Sequence, residues 1–160
     1  MKHNLIMLLT IILISFSNKS VLAQEWNTSV PKKILILNSS KDYATAKKVA
    51  IEASKKLKLE LNIKDLKPNK KTGLTHSEAD CETFGYPCYI ARGEGDAQNN
   101  YYISIEYSNA YEGFAQGYYI VVAGIDEPNS SKLKTELARV KKYYKTAYAK
   151  GTKVWHGCMH

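Results

Sequence analysis

The side chains able to do chemistry fall into three groups. The first is Arg92, Tyr102, Glu106, Tyr107, Tyr111, Glu112 and Phe114, all in or just before the stretch Tyr101–Gly124, which holds six of the chain's twelve tyrosines. Aromatic faces stack on sugar rings or peptides, and Arg and Glu orient polar groups, so these residues are candidates for a ligand platform on one side of a sheet. The competing reading makes the tyrosines core residues with hydroxyls at the rim and pairs Arg92 with Glu106 structurally. Glu106 and Glu112 stand six apart across a loop. Glycoside hydrolysis needs two carboxyls at a defined separation, one with a raised pKa, and nothing in the spacing implies that. No nucleophile motif, phosphate loop or dinucleotide fingerprint occurs, so the chain is expected not to be an enzyme.

The second group is the tail: His156, Cys158, Met159 and His160. Imidazole, thiolate and thioether suit Cu(I) or Zn, but the spacing matches no standard closed zinc site. The alternative is a structural disulfide through Cys158, with Met159 packed and the histidines in solvent. His76, close in sequence to the other cysteines, is a further candidate ligand. The third group is the three cysteines themselves. Cys81 and Cys88 flank a six-residue loop containing Gly85 and Pro87, and Cys158 lies far downstream. Three pairings are open, and each leaves one thiol over.

The chain begins Met1-Lys2-His3-Asn4, continues with the nearly unbroken apolar run Leu5–Phe16, and reaches Val21-Leu22-Ala23 with compact side chains at −3 and −1 of a cut after Ala23. That order is a secretory signal peptide, and the run is short of the roughly 20 residues of a membrane span. An uncleaved anchor is the alternative. No cysteine follows Ala23, which disfavours a lipoprotein anchor. Cleavage leaves residues 24–160, enough for one domain with its own core, and an oxidising compartment that favours disulfides. The net charge of +8 falls to +6 when Lys2 and Lys19 leave. The remaining basic residues read first as solvated helix faces and second as contacts for an anionic envelope polymer. Export disfavours nucleic acid. Gly113-Phe114-Ala115 echoes an RNA-recognition signature, but Glu112 and Gln116 occupy its flanking basic and aromatic positions.

These groups need elements to hold them. Ile34–Leu37 reads as a strand covered on both faces, after a polar lead-in over Glu25–Pro31. Asn38, Ser39, Ser40 or Asp42 can cap a helix to Leu57, with Tyr43, Ala46, Ala50, Ala53 and Leu57 as its apolar stripe. Leu59, Leu61 and Ile63 alternate as a half-buried strand, expected to pair in parallel with the first through a right-handed crossover. An insertion over about residues 66–100 carries the cysteines. Within it Thr75 and Glu78 fit a capping box, and Cys88–Arg92 fits an edge strand. Tyr101–Tyr107 and Tyr118–Ala123 read as a hairpin. Tyr101–Tyr107 has one core-like face, whereas Tyr118–Ala123 has the composition of a fully buried strand. Ser130 or Ser131 caps a second helix with Leu133, Leu137, Val140 and Tyr144 inside, a stripe that Ala147 or Tyr148 continues. Val154 and Trp155 fit a last strand. The order β-α-β-β-α-β is the ferredoxin-like split βαβ, an α+β fold with an antiparallel sheet and two helices on one face.

Tyr118-Tyr119-Ile120-Val121-Val122-Ala123-Gly124, the Ser-capped helix Ser131–Tyr144 and the similar unit Ile34–Leu57 resemble the repeats of the SPOR domain, an envelope module that binds peptidoglycan glycan strands. The resemblance implies an exported binding domain whose partner is a cell-envelope glycan or protein, with no cofactor and no stable membrane span after cleavage. The cysteine-bearing insertion departs from that pattern, and the strand lacks the family's common glutamine. Two alternatives stay open: a soft-metal or redox accessory protein using the C-terminal cluster, with Cu or Zn, and a secreted protein-interaction or inhibitor module.

Overall fold

A computed structural model describes residues 28–94 and 100–157. The signal-peptide expectation for residues 1–23, and Cys158, Met159 and His160 of the tail cluster, lie outside the described residues.

The elements are β1 (Thr28–Ser40), α1 (Tyr43–Leu57), β2 (Ser104–Tyr107), β3 (Tyr119–Asp126), α2 (Ser131–Lys141) and β4 (Tyr148–His156), with a short 3-10 turn at Ser108–Ala110. The sheet order is β2-β3-β1-β4, with every pairing antiparallel. This is the ferredoxin-like split βαβ, as its residue patterns implied. Both helices share one face. Ala46, Ala50, Ala53 and Leu57 of α1 and Leu133 and Val140 of α2 pack on Leu35, Leu37, Ile105, Val121 and Ala123. On the opposite face Ile34, Ile36, Ile120, Val122, Ile125 and Val154 form a second core with Ala91 and Tyr111. The continuous run Ile34–Leu37 is therefore apolar because both of its faces are covered.

Helix α1 starts where Asp42 Oδ2 accepts from the Thr45 amide at 2.8 Å, and the hydrogen bonds from Thr45 hold the Asp42 carboxyl below its ordinary pKa. It ends at Lys58 in the left-handed region, φ 54°, with Lys55 and Lys56 in the last turn, where cations complement the helix dipole. Ser130 Oγ caps α2 by accepting from the Leu133 amide at 3.2 Å.

Several expectations are corrected. Leu59–Ile63 is not a strand beside β1, because β3 and β4 occupy both edges of β1. It makes one parallel bridge, Leu61 to Ile103, with the Ile103 amide donating to Glu60 O at 2.7 Å, and its apolar residues pack into the helix-side core. The split unit takes Ser104–Tyr107 as its second strand instead. Thr28–Pro31 is not a lead-in; it pairs with Lys153–His156 of β4. Helix α2 stops at Lys141, and Tyr148 pairs with Ile36 rather than extending the helical stripe. Thr75 caps no helix: its hydroxyl exchanges bonds with Cys88, donating to the carbonyl at 2.8 Å and accepting from the amide at 3.1 Å. Cys88–Arg92 forms no strand, and the backbone of Ile103, just before β2, bonds to Glu60 and Asn62 instead.

The insertion wraps around β2. Leu74 enters the helix-side core and Ala91 the opposite one. Gly73, at φ 70°, lets the backbone lie against the Tyr107 ring, where a Cβ would come within 2.0 Å of a ring carbon. A disulfide joins Cys81 to Cys88 across Cα atoms 5.5 Å apart, which selects one of the three open pairings. Among the described residues no helix is long and apolar enough to cross a membrane.

Candidate functional site

Arg92 and Glu106 come together, but inside the protein. Arg92 is 2% exposed and Glu106 4%. The guanidinium donates to Glu106 Oε1 at 3.4 Å, to Tyr102 O at 3.0 Å, to Val122 O at 3.5 Å and to Ser104 Oγ, and its central carbon lies 3.8 Å from the Tyr102 ring centroid. Ser104 Oγ donates to the same Glu106 oxygen, and Lys64 Nζ lies 3.9 Å from the other. The Arg92 amide donates to Tyr111 Oη at 3.0 Å. Burial pushes the Tyr111 phenol well above its ordinary pKa, so it stays a neutral hydroxyl. These polar groups on the covered face meet partners, as buried polar groups must. Both faces of β2 are thus buried: Ser104 and Glu106 on one, Ile103 and Ile105 on the other.

The other candidates separate. Tyr107 is half-buried and packs between Tyr89 and Tyr119, with ring centroids 5.4 and 5.2 Å away. Glu112 is exposed, 4.0 Å from Lys153 Nζ, while its backbone carbonyl accepts from Thr152 Oγ1 at 3.2 Å. Phe114 is half-buried against Tyr111, with centroids 5.4 Å apart. His156 ends β4, and among the described residues no three His, Cys, Asp or Glu side chains gather as a metal site.

Beside Phe114 a different constellation forms. An open cleft of about 170 Å³ lies on the sheet face away from the helices, lined by Ser39, Phe114, Tyr118, Ile120, Tyr148 and Lys150. Lys150 Nζ stands 4.5 Å from the Phe114 ring centroid, and Lys41 Nζ stands 5.3 Å from that of Tyr118. The loop between β2 and β3 is fixed for this. Ser108 and Tyr118 join through the Ser108 amide to Tyr118 O at 2.8 Å and the Tyr118 amide to Ser108 Oγ at 2.9 Å, and Asn109 Oδ1 accepts from the Gly117 amide at 2.8 Å. Three aromatic rings and Lys150 therefore line one opening, with Lys41 over the Tyr118 ring. Sequence reasoning singled out only Phe114 among them. The period-two pair Tyr148 and Lys150 is a signal that could find two of the others, masked because Tyr148 is also one of two residues that fit the end of the helical stripe.

A smaller cavity of about 10 Å³, room for about one water, lies between the insertion and β2, with Lys64, His76, Tyr89, Glu106 and Tyr107 among its walls. His76 Nε2 is buried there without a hydrogen-bond partner among the described residues. Burial, with Lys64 nearby, lowers the His76 pKa and keeps the imidazole neutral.

No protein-family model, curated protein or solved structure matches this chain.

Proposed function

We propose that the protein is an exported, non-catalytic binding domain that engages peptidoglycan or another cell-envelope ligand through the Phe114–Tyr118–Tyr148 cleft. One observation carries this reading: three aromatic rings and Lys150 line an open cleft of the sheet face that the helices leave free, and Lys41 stands over one of those rings, Tyr118. Ring faces pack on the apolar faces of sugars, and lysines pair with the carboxylates that envelope polymers carry. The signal-peptide pattern and the basic balance of the chain support the same reading. The test is co-sedimentation with purified sacculi. The wild-type protein is expected to enrich, and Tyr118→Ala and Lys150→Glu each to weaken binding. Enrichment no greater than that of a scrambled-charge control overturns it.

A protein partner is the second reading, and a specific observation favours it. The disulfide-closed loop exposes Phe84 (58%) and Tyr86 (46%) while Cys81 and Cys88 are buried beneath it. Aromatic anchors on a preorganised loop are what protein interfaces use. Loss of partner binding in Phe84→Ala and Tyr86→Ala, with sacculus binding intact, separates this reading from the first.

A further inference from the structure

On the helix side of the sheet, α2 and β4 do not close on each other. Between them runs an open groove of about 350 Å³, with Leu133, Leu137 and Ala149 as apolar lining and Lys33, Lys134 and Lys141 among its walls. The sequence explains the gap. β4 carries Ala149 and Gly151 there, opposite Leu35 and Lys33 of β1, so no large side chain fills the space under the helix. Lys134 and Lys141 are seven residues apart, two turns of α2 and about 10 Å along its axis, with Leu137 between them. Lys33 reaches the groove from β1.

Lys32, the neighbour of Lys33, pairs with Glu127, and Arg139 takes Glu136 on α2. Among the described residues none of Lys33, Lys134 and Lys141 joins an ion pair. Lys33 is half-buried all the same. Three uncompensated cations bordering an apolar trough complement a ligand with one anionic end and one apolar body. The volume lies at the lower end of the range for small-molecule sites, which fits a single chain rather than a bilayer surface.

We infer that this groove is a second ligand site, for a single-chain anionic amphiphile taken up as a monomer. The acyl or alkyl chain lies along Leu133, Leu137 and Ala149, and the phosphate or carboxylate head meets Lys33, Lys134 and Lys141. The site is distinct from the outer-face cleft, with which it shares only Tyr148.

The probe is octyl phosphate, with inorganic phosphate, octanol and phosphatidylglycerol vesicles as comparisons, followed by calorimetry and amide chemical shifts on the full mature chain. Octyl phosphate is expected to shift the amides of Lys134, Leu137 and Ala149 and to bind at least about tenfold more tightly than either half-molecule. Lys33→Gln is expected to weaken it by about tenfold, the scale of one charged hydrogen bond. Leu137→Ser tests the apolar half. If that variant fails to fold, the exposed pair Lys134→Gln/Lys141→Gln carries the test. Inorganic phosphate shifting the same amides equally well overturns the inference, because the groove is then only a cationic surface. Unchanged affinity in the lysine variants, or shifts produced by vesicles alone, overturn it as well. Loss of sacculus binding without loss of octyl phosphate binding separates failure of the cleft reading from failure of this one.

Discussion

Replacing Arg92 by Met decides whether the Arg92–Glu106 pair works as a structural clasp. The guanidinium has four acceptors within reach: Glu106, Tyr102 O, Val122 O and Ser104 Oγ. Met keeps the apolar stem and removes all of these bonds. Glu106 then stays buried with Ser104 and, at 3.9 Å, Lys64. Breaking a buried pair by removing one partner costs about 3–5 kcal/mol, because the remaining charge is left uncompensated. The lower end applies here, since Lys64 remains and its side chain is 29% exposed. About 3 kcal/mol is a large share of the roughly 5–15 kcal/mol that holds a small domain together. Replacing both partners, Arg92→Met with Glu106→Leu, removes the orphan charge and should recover about 2 kcal/mol of that loss.

The assay is urea unfolding of the wild type, the two single variants and the double variant, read by circular dichroism and tryptophan fluorescence. The expected pattern is a damaging Arg92→Met, a milder Glu106→Leu (the guanidinium keeps its backbone acceptors) and a double variant better than Arg92→Met alone. A loss below about 1 kcal/mol for Arg92→Met, or strict additivity in the cycle, refutes the reasoning. Sacculus binding by folded Arg92→Met should match the wild type, because the guanidinium faces the interior.

Gly73 and Gly85 both sit at positive φ, but only Gly73 has a neighbour in the way: a Cβ there meets the Tyr107 ring, whereas at Gly85 nothing lies within 4 Å. Gly85→Ala should cost about 1–2 kcal/mol of backbone strain, and Gly73→Ala roughly 1–3 kcal/mol more, as read from thermal midpoints. The Cys81–Cys88 crosslink spans seven residues, so Cys81→Ala/Cys88→Ala should lower stability by about 2 kcal/mol, measured under oxidising conditions against the disulfide-bonded wild type. His76 titrates with a clear sign. Its folded pKa lies below the ordinary 6.5, so the unfolded chain takes up the proton first. The stability it contributes is fully present above about pH 6.5 and drains as pH falls through 6.5 toward the lower folded value. Glu94, whose carboxyl pKa is raised by burial, acts in the opposite sense, so the diagnostic is the difference between wild type and His76→Phe in hydrogen exchange across the insertion.

What the sequence made legible was what local pattern decides. The alanine stripe of α1 and the buried run in β3 follow from spacing alone, and each stands where spacing put it; of the four candidate caps before α1, Asp42 is the one used. The misreadings share one cause, competition for a partner far along the chain. Leu59, Leu61 and Ile63 alternate like a strand, yet a strand needs a free edge, and β1 had none. Tyr144, Ala147 and Tyr148 continue a helical stripe, yet Tyr148 gains more as the partner of Ile36. Arg92 has the profile of a ligand contact because arginine is seldom fully buried. Only the fold, by bringing Ser104, Glu106 and Val122 around it, shows why it is.

The two edges of the sheet are treated in opposite ways, and this bears directly on where a ligand can sit. The β2 side is met at Ile103, just before the strand, by the Glu60–Asn62 backbone and wrapped by an insertion that a disulfide closes and Arg92 pins. An exposed edge invites strand pairing, and covering it is one of the ways proteins prevent that. The polar residues that stand out most on reading the chain, Arg92, Glu106 and Tyr111, are employed inside this cover. Among the described residues no strand pairs with the outer edge of β4, which carries Lys150 and Lys153, and both the cleft and the groove open beside it, one on each face, with Tyr148 between them. A buried charge network resists remodelling, because each partner removed leaves another uncompensated. Aromatic rings and lysines along an open edge can instead be exchanged at little cost to the core. The covered side therefore carries stability, and both proposed sites lie on the open side. Substitutions at Lys150 or Lys134 should change binding while leaving the unfolding midpoint nearly untouched, and substitutions at Arg92 or Gly73 should do the reverse.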